Sequence, residues 1–337
     1  MDERLVRAGF DGLSEPERAE IMKALAERYQ MNFKELGKFS RWGRSTATGV
    51  FERDSAEFVF VPGDTVTLGW AGFSEGLTEK SAEELREVYE EFEFEGTYEE
   101  FLGSMLTPPR TAEITPMLVE RTPRELCGDK IPIDDPRVRP EWREDLRRTI
   151  STGPEQHQPI SLTIADQVRF TRTGDKWQAE IFSDVAYAEL SERLAADGYA
   201  LPTADQWAYL CGGGCRTLFP WGDGMVQGLR LRYFDKAPYT LYKPNFFGLK
   251  IAYDPYKSEL ICADTPMSCG GDDGVNLCGG LGALLGYLPC SPHCKPQEAE
   301  EPIDSEWYFF RRIIRIEQRS KSMKIHFFTF CITERNT

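Results

Sequence analysis

The chain has 337 residues, 41% apolar and 28% charged, enough to bury one large core or two. Acidic side chains outnumber basic ones 55 to 40, and the net charge of −15 excludes generic nucleic-acid binding, which needs basic surface to displace counterions. Met1 to Leu13 lacks the apolar stretch of a secretory signal, and Leu277 to Cys290 is too short and glycine-rich to span a bilayer. No membrane partner is expected, and the expected setting is cytoplasmic, where thiols stay reduced. The nine cysteines then read as buried small hydrophobes, metal ligands or reactive thiols.

Residues 1–48 read as an N-terminal helical extension. Ser14 with Glu17 makes a capping box, and Ile21, Leu25, Tyr29 and Phe33 recur at a helical spacing. At Phe58 the pattern changes. Phe58-Val59-Phe60-Val61, then Pro62-Gly63-Asp64, then Thr65 to Gly69 predicts a hairpin whose turn is preset by proline and glycine. Two more capping boxes, Ser81 with Glu84 and Thr97 with Glu100, open helices in the Glu-rich stretch 79–100, where Leu85, Val88, Tyr89 and Phe92 keep a helical period. A solvated helix face accounts for the acid there. Thr107 to Pro140 is rich in proline and charge and reads as surface loop, so residues 71–158 are taken as an insertion.

From Pro159 the chain reads as globular. Val168 to Thr173 and Lys176 to Phe182 form a hairpin around Gly174-Asp175. Ser183 or Asp184 caps a helix running through Leu194, and Gly198 ends it in the left-handed conformation. Thr203 and Gln206 box the start of a short helix carrying Trp207 and Leu210, followed by the turn Phe219-Pro220-Trp221-Gly222-Asp223. Both indoles read as core side chains. Residues 319–337 form a basic C-terminal tail.

Six segments, in order and at matching spacing, resemble the formylglycine-generating enzyme (sulfatase-modifying factor) family. Phe58 to Gly69 is similar to its opening hairpin. Ala200-Leu201-Pro202-Thr203 is similar to the start of its R-L-P-T helix, and Phe219-Pro220-Trp221-Gly222 to its Y-P-W-G turn. Asn245-Phe246-Phe247-Gly248-Leu249, Cys269-Gly270-Gly271-Asp272 and Phe309 to Arg315 resemble its N-x-F-G-L, G-G-S and G-F-R segments. The resemblance implies a C-type-lectin-like α+β fold over residues 49–318, with short helices, small antiparallel sheets and much irregular chain.

The family's chemistry carries over less well. Its formylglycine-forming members use two cysteines, five positions apart after G-G-S, to bind copper(I) for oxygen-dependent oxidation of a substrate cysteine. Here Cys278 is the first thiol after that segment, position 283 is alanine, and Asp272 replaces serine. Cys290 and Cys294, with His293 between them, offer a relocated two-thiolate site for copper(I) or zinc, or are two packed thiols. Cys211 and Cys215 flank three glycines and read as packing, and no C-x-x-C exists. Where the family has its Asn- and Trp-rich metal segment, Asp254 and Glu259 offer oxygens for calcium. His157, His293 and His326 lie too far apart in sequence for the three-histidine iron site of relatives that join sulfur to histidine derivatives. The Gly270 to Gly280 run lacks the ending of a phosphate-binding loop.

Two functions are compatible with these residues. One is a repurposed, non-catalytic member that binds a small molecule or peptide. The other is a copper-dependent thiol oxidase working through Cys278, Cys290 and Cys294.

Overall fold

Phe58, Val59, Phe60 and Val61 are all fully buried. Successive side chains of a strand point to opposite faces. Val59 and Val61 enter one hydrophobic core, and Phe58 and Phe60 enter another. Both faces are covered, so the run is apolar throughout instead of alternating. The same division recurs at Val50 and Phe51, Val119 and Leu118, and Ile313 and Ile314.

The computed structural model describes residues 2–126, 130–152, 161–164, 167–174, 176–182, 184–225, 241, 243–251, 253–303 and 308–316. Its central element is a five-stranded antiparallel sheet in the order Asn32–Arg41, Arg44–Arg53, Ala56–Val61, Met117–Glu120, Ile313–Arg315. A second five-stranded sheet runs Gln297–Glu298, Met267–Gly270, Ser258–Ile261, Tyr308–Phe310, Arg124–Glu125, with one parallel pairing between Ser258–Ile261 and Tyr308–Phe310. With nine short α-helices among the described residues, the class is α+β. None of those helices is long and apolar enough to cross a membrane.

Three sequence expectations are corrected here. The helical reading of 1–48 holds only to Arg28: the helix Glu15–Arg28 is followed by a long hairpin, Asn32–Arg41 with Arg44–Arg53. Phe33 belongs to that hairpin, beside a register shift, and not to the helical stripe. The turn is Trp42-Gly43, with φ of 50° and 71°, the positive values that a tight two-residue hairpin turn requires. The leading residues are also tied to the main body. Arg7 donates its backbone N–H to Gly63 O at 2.8 Å, and its Nε donates to Asp64 Oδ2 at 3.0 Å.

The expected Phe58 to Gly69 hairpin does not form. Ala56–Val61 pairs within the central sheet, whereas Asp64–Leu68 pairs with Arg110–Ile114 in a separate ribbon. Pro62-Gly63 passes the chain from one sheet to another. The third correction concerns the supposed insertion. Met117–Glu120 lies inside the central sheet with every side chain buried. The later part, 130–182, has a core of its own. A four-stranded sheet and the helix Pro140–Thr152 enclose Val138, Trp142, Leu146, Val168 and Phe170. The hairpin Val168–Thr173 with Lys176–Ile181 forms as expected.

Local capping is mostly as read. Glu17 accepts the Ser14 N–H at 2.8 Å, and Glu100 accepts the Thr97 N–H at 2.9 Å. At the helix Glu79–Glu91 the cap is Thr78, not Ser81. Glu84 is thereby free to accept the N–H groups of Ala283 and Leu284, at 2.6 and 3.3 Å. The helix Tyr187–Ala196 starts later than expected, with Ala186 at its cap, and Gly198 follows it at φ 78°. Asp175, Ser183, His157, His326 and the tail 319–337 lie outside the described residues.

Candidate functional site

The helix Ala204–Gly212 is held at both ends. Thr203 Oγ1 accepts from Gln206 N at 3.3 Å, while Gln206 Oε1 accepts from Thr203 N at 3.0 Å. The last carbonyls of a helix have no partner within it. Here Asn245 Nδ2 donates to Leu210 O at 2.8 Å and the Tyr253 hydroxyl donates to Cys211 O at 2.9 Å. Asn245 Oδ1 also accepts from Phe247 N and Leu249 N, at 2.9 and 3.2 Å. The Asn245 to Leu249 segment is thus a clamp on the end of the Trp207 helix.

Trp207 is buried as expected, although its indole N–H has no partner among the described residues. Trp221 departs from expectation. It is half-buried, stacked on Phe219 at 4.8 Å and edge-on to Tyr253, and its Nε1 donates to Gly224 O at 3.1 Å. Asp223, which ends the turn, is 1% exposed and accepts from Leu218, Glu75 and Gly76 N–H groups, the first two at 2.7 and 2.6 Å.

The described cysteines differ in setting. Cys211, Cys269 and Cys290 are buried, and desolvation pushes each thiol well above its ordinary range. Burial pushes Cys294 up to about 12 and Cys215 to about 11. These groups are neutral thiols near pH 7, and the thiolate is the form that attacks or ligates. Cys278 and Cys262 are exposed, and Cys278 Sγ lies 3.2 Å from the Tyr256 hydroxyl. The expected trio is therefore split between core and surface.

His293 does not turn toward Cys290 and Cys294 as a third ligand. Its Nε2 donates to Thr217 O at 2.9 Å and lies 3.9 Å from Cys215 Sγ. That contact fixes the proton on Nε2, since a carbonyl only accepts. Burial lowers its pKa to about 4. Among the described residues no three His, Cys, Asp or Glu side chains converge as a metal-binding group. The donor set does not fit the copper(I) pair of the resembled family, because Ala283 stands at the second position and Cys278, exposed, is separated in setting from Cys290 in the core.

Glu259 also has a different role from the one expected. Its two carboxylate oxygens accept from Arg311 Nε and Nη2 at 3.0 and 2.8 Å, in a pair that is essentially unexposed. It is a counter-ion, not one of two calcium ligands with Asp254. Asp254 is buried and accepts from Tyr256 N at 3.1 Å.

The residues that sequence reasoning missed line a cleft of about 920 Å³ elsewhere in the molecule. No residue from 270 to 278 reaches it. Its floor is Arg312 on Glu120, Nε to Oε2 at 2.8 Å and Nη2 to Oε1 at 3.1 Å, with both side chains buried. Its sides carry Arg124, Lys130 and Arg193. One signal in the sequence pointed here: two adjacent arginines inside the apolar run Phe309 to Ile314, which require buried counter-ions.

The fold and these sites define an α+β protein with several packed thiols and a cleft lined by charged side chains. No family model and no curated protein matches the chain. Among solved structures it is similar to Treponema denticola variable protein 1, at 11% identity and a TM-score of 0.36, covering 80% of this chain and 100% of that one.

Proposed function

We propose that this chain is a binding module on a formylglycine-generating-enzyme-like scaffold, without thiol oxidase chemistry. The observation that carries the reading is the placement of the thiols: Cys278 is exposed and Cys290 buried, and no three His, Cys, Asp or Glu side chains among the described residues converge on one point. Of the relocated candidates, Cys290 is buried and Cys294 partly buried, and burial pushes both thiols up. The scaffold motifs meanwhile have structural work in this fold: Asn245 clamps the Trp207 helix and Arg311 is buried in the last strand segment. The ligand is a small molecule or peptide, and the net charge of −15 argues against a nucleic acid. The described cysteines are all unpaired, which supports a reducing, cytoplasmic setting.

Anaerobic copper(I) titration tests this. The wild type should show only weak, non-stoichiometric binding through exposed thiols, lowered in Cys278→Ser and unchanged in Cys290→Ser. Tight one-to-one binding abolished by Cys290→Ser would overturn the proposal in favour of a copper-dependent oxidase.

A further inference from the structure

We infer that a second cavity, of about 500 Å³, binds the phosphate group of a small phosphate monoester. It shares no lining residue with the 920 Å³ cleft. The volume lies in the range of small-molecule sites, about 300–1,000 Å³. What selects an anion is the lining itself, which among the described residues holds Arg28, Arg53 and Arg315 and no carboxylate. Each arginine comes from a different element. Arg28 ends the helix Glu15–Arg28, Arg53 ends the strand Arg44–Arg53, and Arg315 ends the strand Ile313–Arg315.

The acids around the cavity do not neutralise it. Asp54 stands 3.6 Å from Arg53, and it also faces Arg312 at 3.7 Å and accepts from the Tyr199 hydroxyl at 2.6 Å. Asp197 lines the larger cleft instead, and gives Arg53 only its backbone carbonyl, to Nη2 at 2.9 Å. Glu27 precedes Arg28 on the helix, where consecutive side chains do not face each other, and the two form no ion pair. Arg28 is exposed and lies over the Tyr29 ring at 5.1 Å; its guanidinium makes no ion pair or hydrogen bond with the described residues. Arg315 is half-buried. Its Nη2 donates to Leu201 O at 2.9 Å and to Gln206 Oε1 at 2.8 Å, both neutral acceptors, and no carboxylate among the described residues pairs with it. Burial lowers its pKa, since no acid offsets the lost water. Arg28 and Arg315 are thus both left without a counter-ion.

Capping does not account for these cations. Two helices end at the cavity, and arginines near a helix C-terminus often serve its last carbonyls. Here main-chain N–H groups already do so. Tyr29 and Met31 donate to Leu25 O and Ala26 O at 3.0 and 2.9 Å, and Tyr199 and Gly198 donate to Leu194 O and Ala195 O at 2.8 and 3.1 Å. Only Arg53 of the three adds a cap, at Asp197 O. Guanidinium meets a phosphate through paired N–H donors, which a lone ammonium does not. Two guanidiniums without counter-ions, with Arg53 as a third donor, suit a dianion better than a monoanion. A phosphate monoester is close to dianionic at pH 7.5, its second pKa being about 6. Ala200, Ile313 and Ile314 supply apolar lining for the body of the ligand.

This inference rests on the binding-module reading, but the two fail separately: copper(I) titration tests the thiols, and the following tests the arginine cavity. The full chain is titrated calorimetrically at low salt and pH 7.5 with phenyl phosphate, benzoate and benzyl alcohol. Saturable one-to-one binding of phenyl phosphate is expected, with benzoate weaker and the alcohol silent. Arg28→Ala and Arg315→Ala should each weaken phenyl phosphate binding by about ten-fold or more, the worth of a charge-assisted hydrogen bond. Arg28→Ala breaks no side-chain hydrogen bond or ion pair with the described residues, so it keeps the test clear of misfolding. Arg193→Ala, an exposed cation that lines the larger cleft, should leave affinity unchanged. No saturation by phenyl phosphate up to about 10 mM, beyond the weak edge of specific affinity, overturns the inference. So does benzoate binding as tightly as phenyl phosphate, or affinity that survives both Arg28→Ala and Arg315→Ala.

Discussion

Arg311 and Arg312 are neighbours in sequence, both buried and both paired with a carboxylate, and they differ in what they join. Arg311 is 0% exposed, with both oxygens of Glu259 and the carbonyls of Glu120 and Lys250 as acceptors. Since Glu259 lies in one five-stranded sheet and Glu120 in the other, this guanidinium joins the two sheets. Arg312 pairs with Glu120 at the cleft floor, has Asp54 at 3.7 Å, and lies over the rings of Phe58 and Tyr199. The same chemistry thus serves as a joint between two sheets on one side and as the buried edge of a cleft on the other. The number of partners separates the two: Arg311 has two backbone carbonyls besides its carboxylate, whereas Arg312 has a second carboxylate, Asp54, and two rings.

The largest expected effect comes from breaking the sealed joint. Glu259→Ala leaves Arg311 charged in a dry interior and should cost about 3–5 kcal/mol in urea unfolding. Glu120→Ala leaves Arg312 with Asp54 and the cleft's water, so a smaller loss of about 1–3 kcal/mol is expected. Equal losses would break the contrast between the two pairs.

Acid sharpens it from the sealed side. His293 is buried neutral, with its pKa lowered from 6.5 to about 4. As pH falls, the unfolded chain takes up this proton first. The contribution is therefore whole above pH 6.5 and lost progressively toward pH 4. At 1.36 kcal/mol per pKa unit the full loss is about 3 kcal/mol. Denaturation midpoints measured from pH 7.5 to 4 should fall over that window, and His293→Gln should flatten the slope. An unchanged slope in the variant would show that His293 is not the group responsible.

What the sequence disclosed follows the range of the interactions. The boxes at Ser14, Thr97 and Thr203 close within three residues and were legible, as was the tight hairpin Val168–Ile181. Thr78 displaced Ser81 because two competent caps lie in one stretch, and either satisfies the first turn. Met117–Glu120 was hidden by its prolines: Pro108, Pro109, Pro116 and Pro123 mark loop on either side of four residues whose pairing partners, Phe58 to Val61 and Ile313 to Arg315, are remote. The hairpin Asn32–Arg53 was hidden by Trp42 at a turn position where Asn or Asp is the usual signal. At the candidate sites, Glu259 was noticed as a carboxylate, but its partner lies 52 positions away. Thiols are the extreme case, since burial decides whether a cysteine is chemistry or packing and no local pattern encodes it.

The smallest expected effect concerns Arg193, and it isolates usable charge from structural charge. Its side chain is exposed and makes no ion pair, side-chain hydrogen bond or ring contact with the described residues. Arg193→Ala should therefore leave stability within about 0.5 kcal/mol of wild type, the ordinary range for a surface substitution. A substitution silent in urea assigns the side chain to the exposed rim of the cleft and not to its ion-paired floor. A loss comparable to that of Glu120→Ala would place Arg193 with the ion-paired floor instead, and the cleft would then resemble the Arg311 joint more closely than its open side suggests.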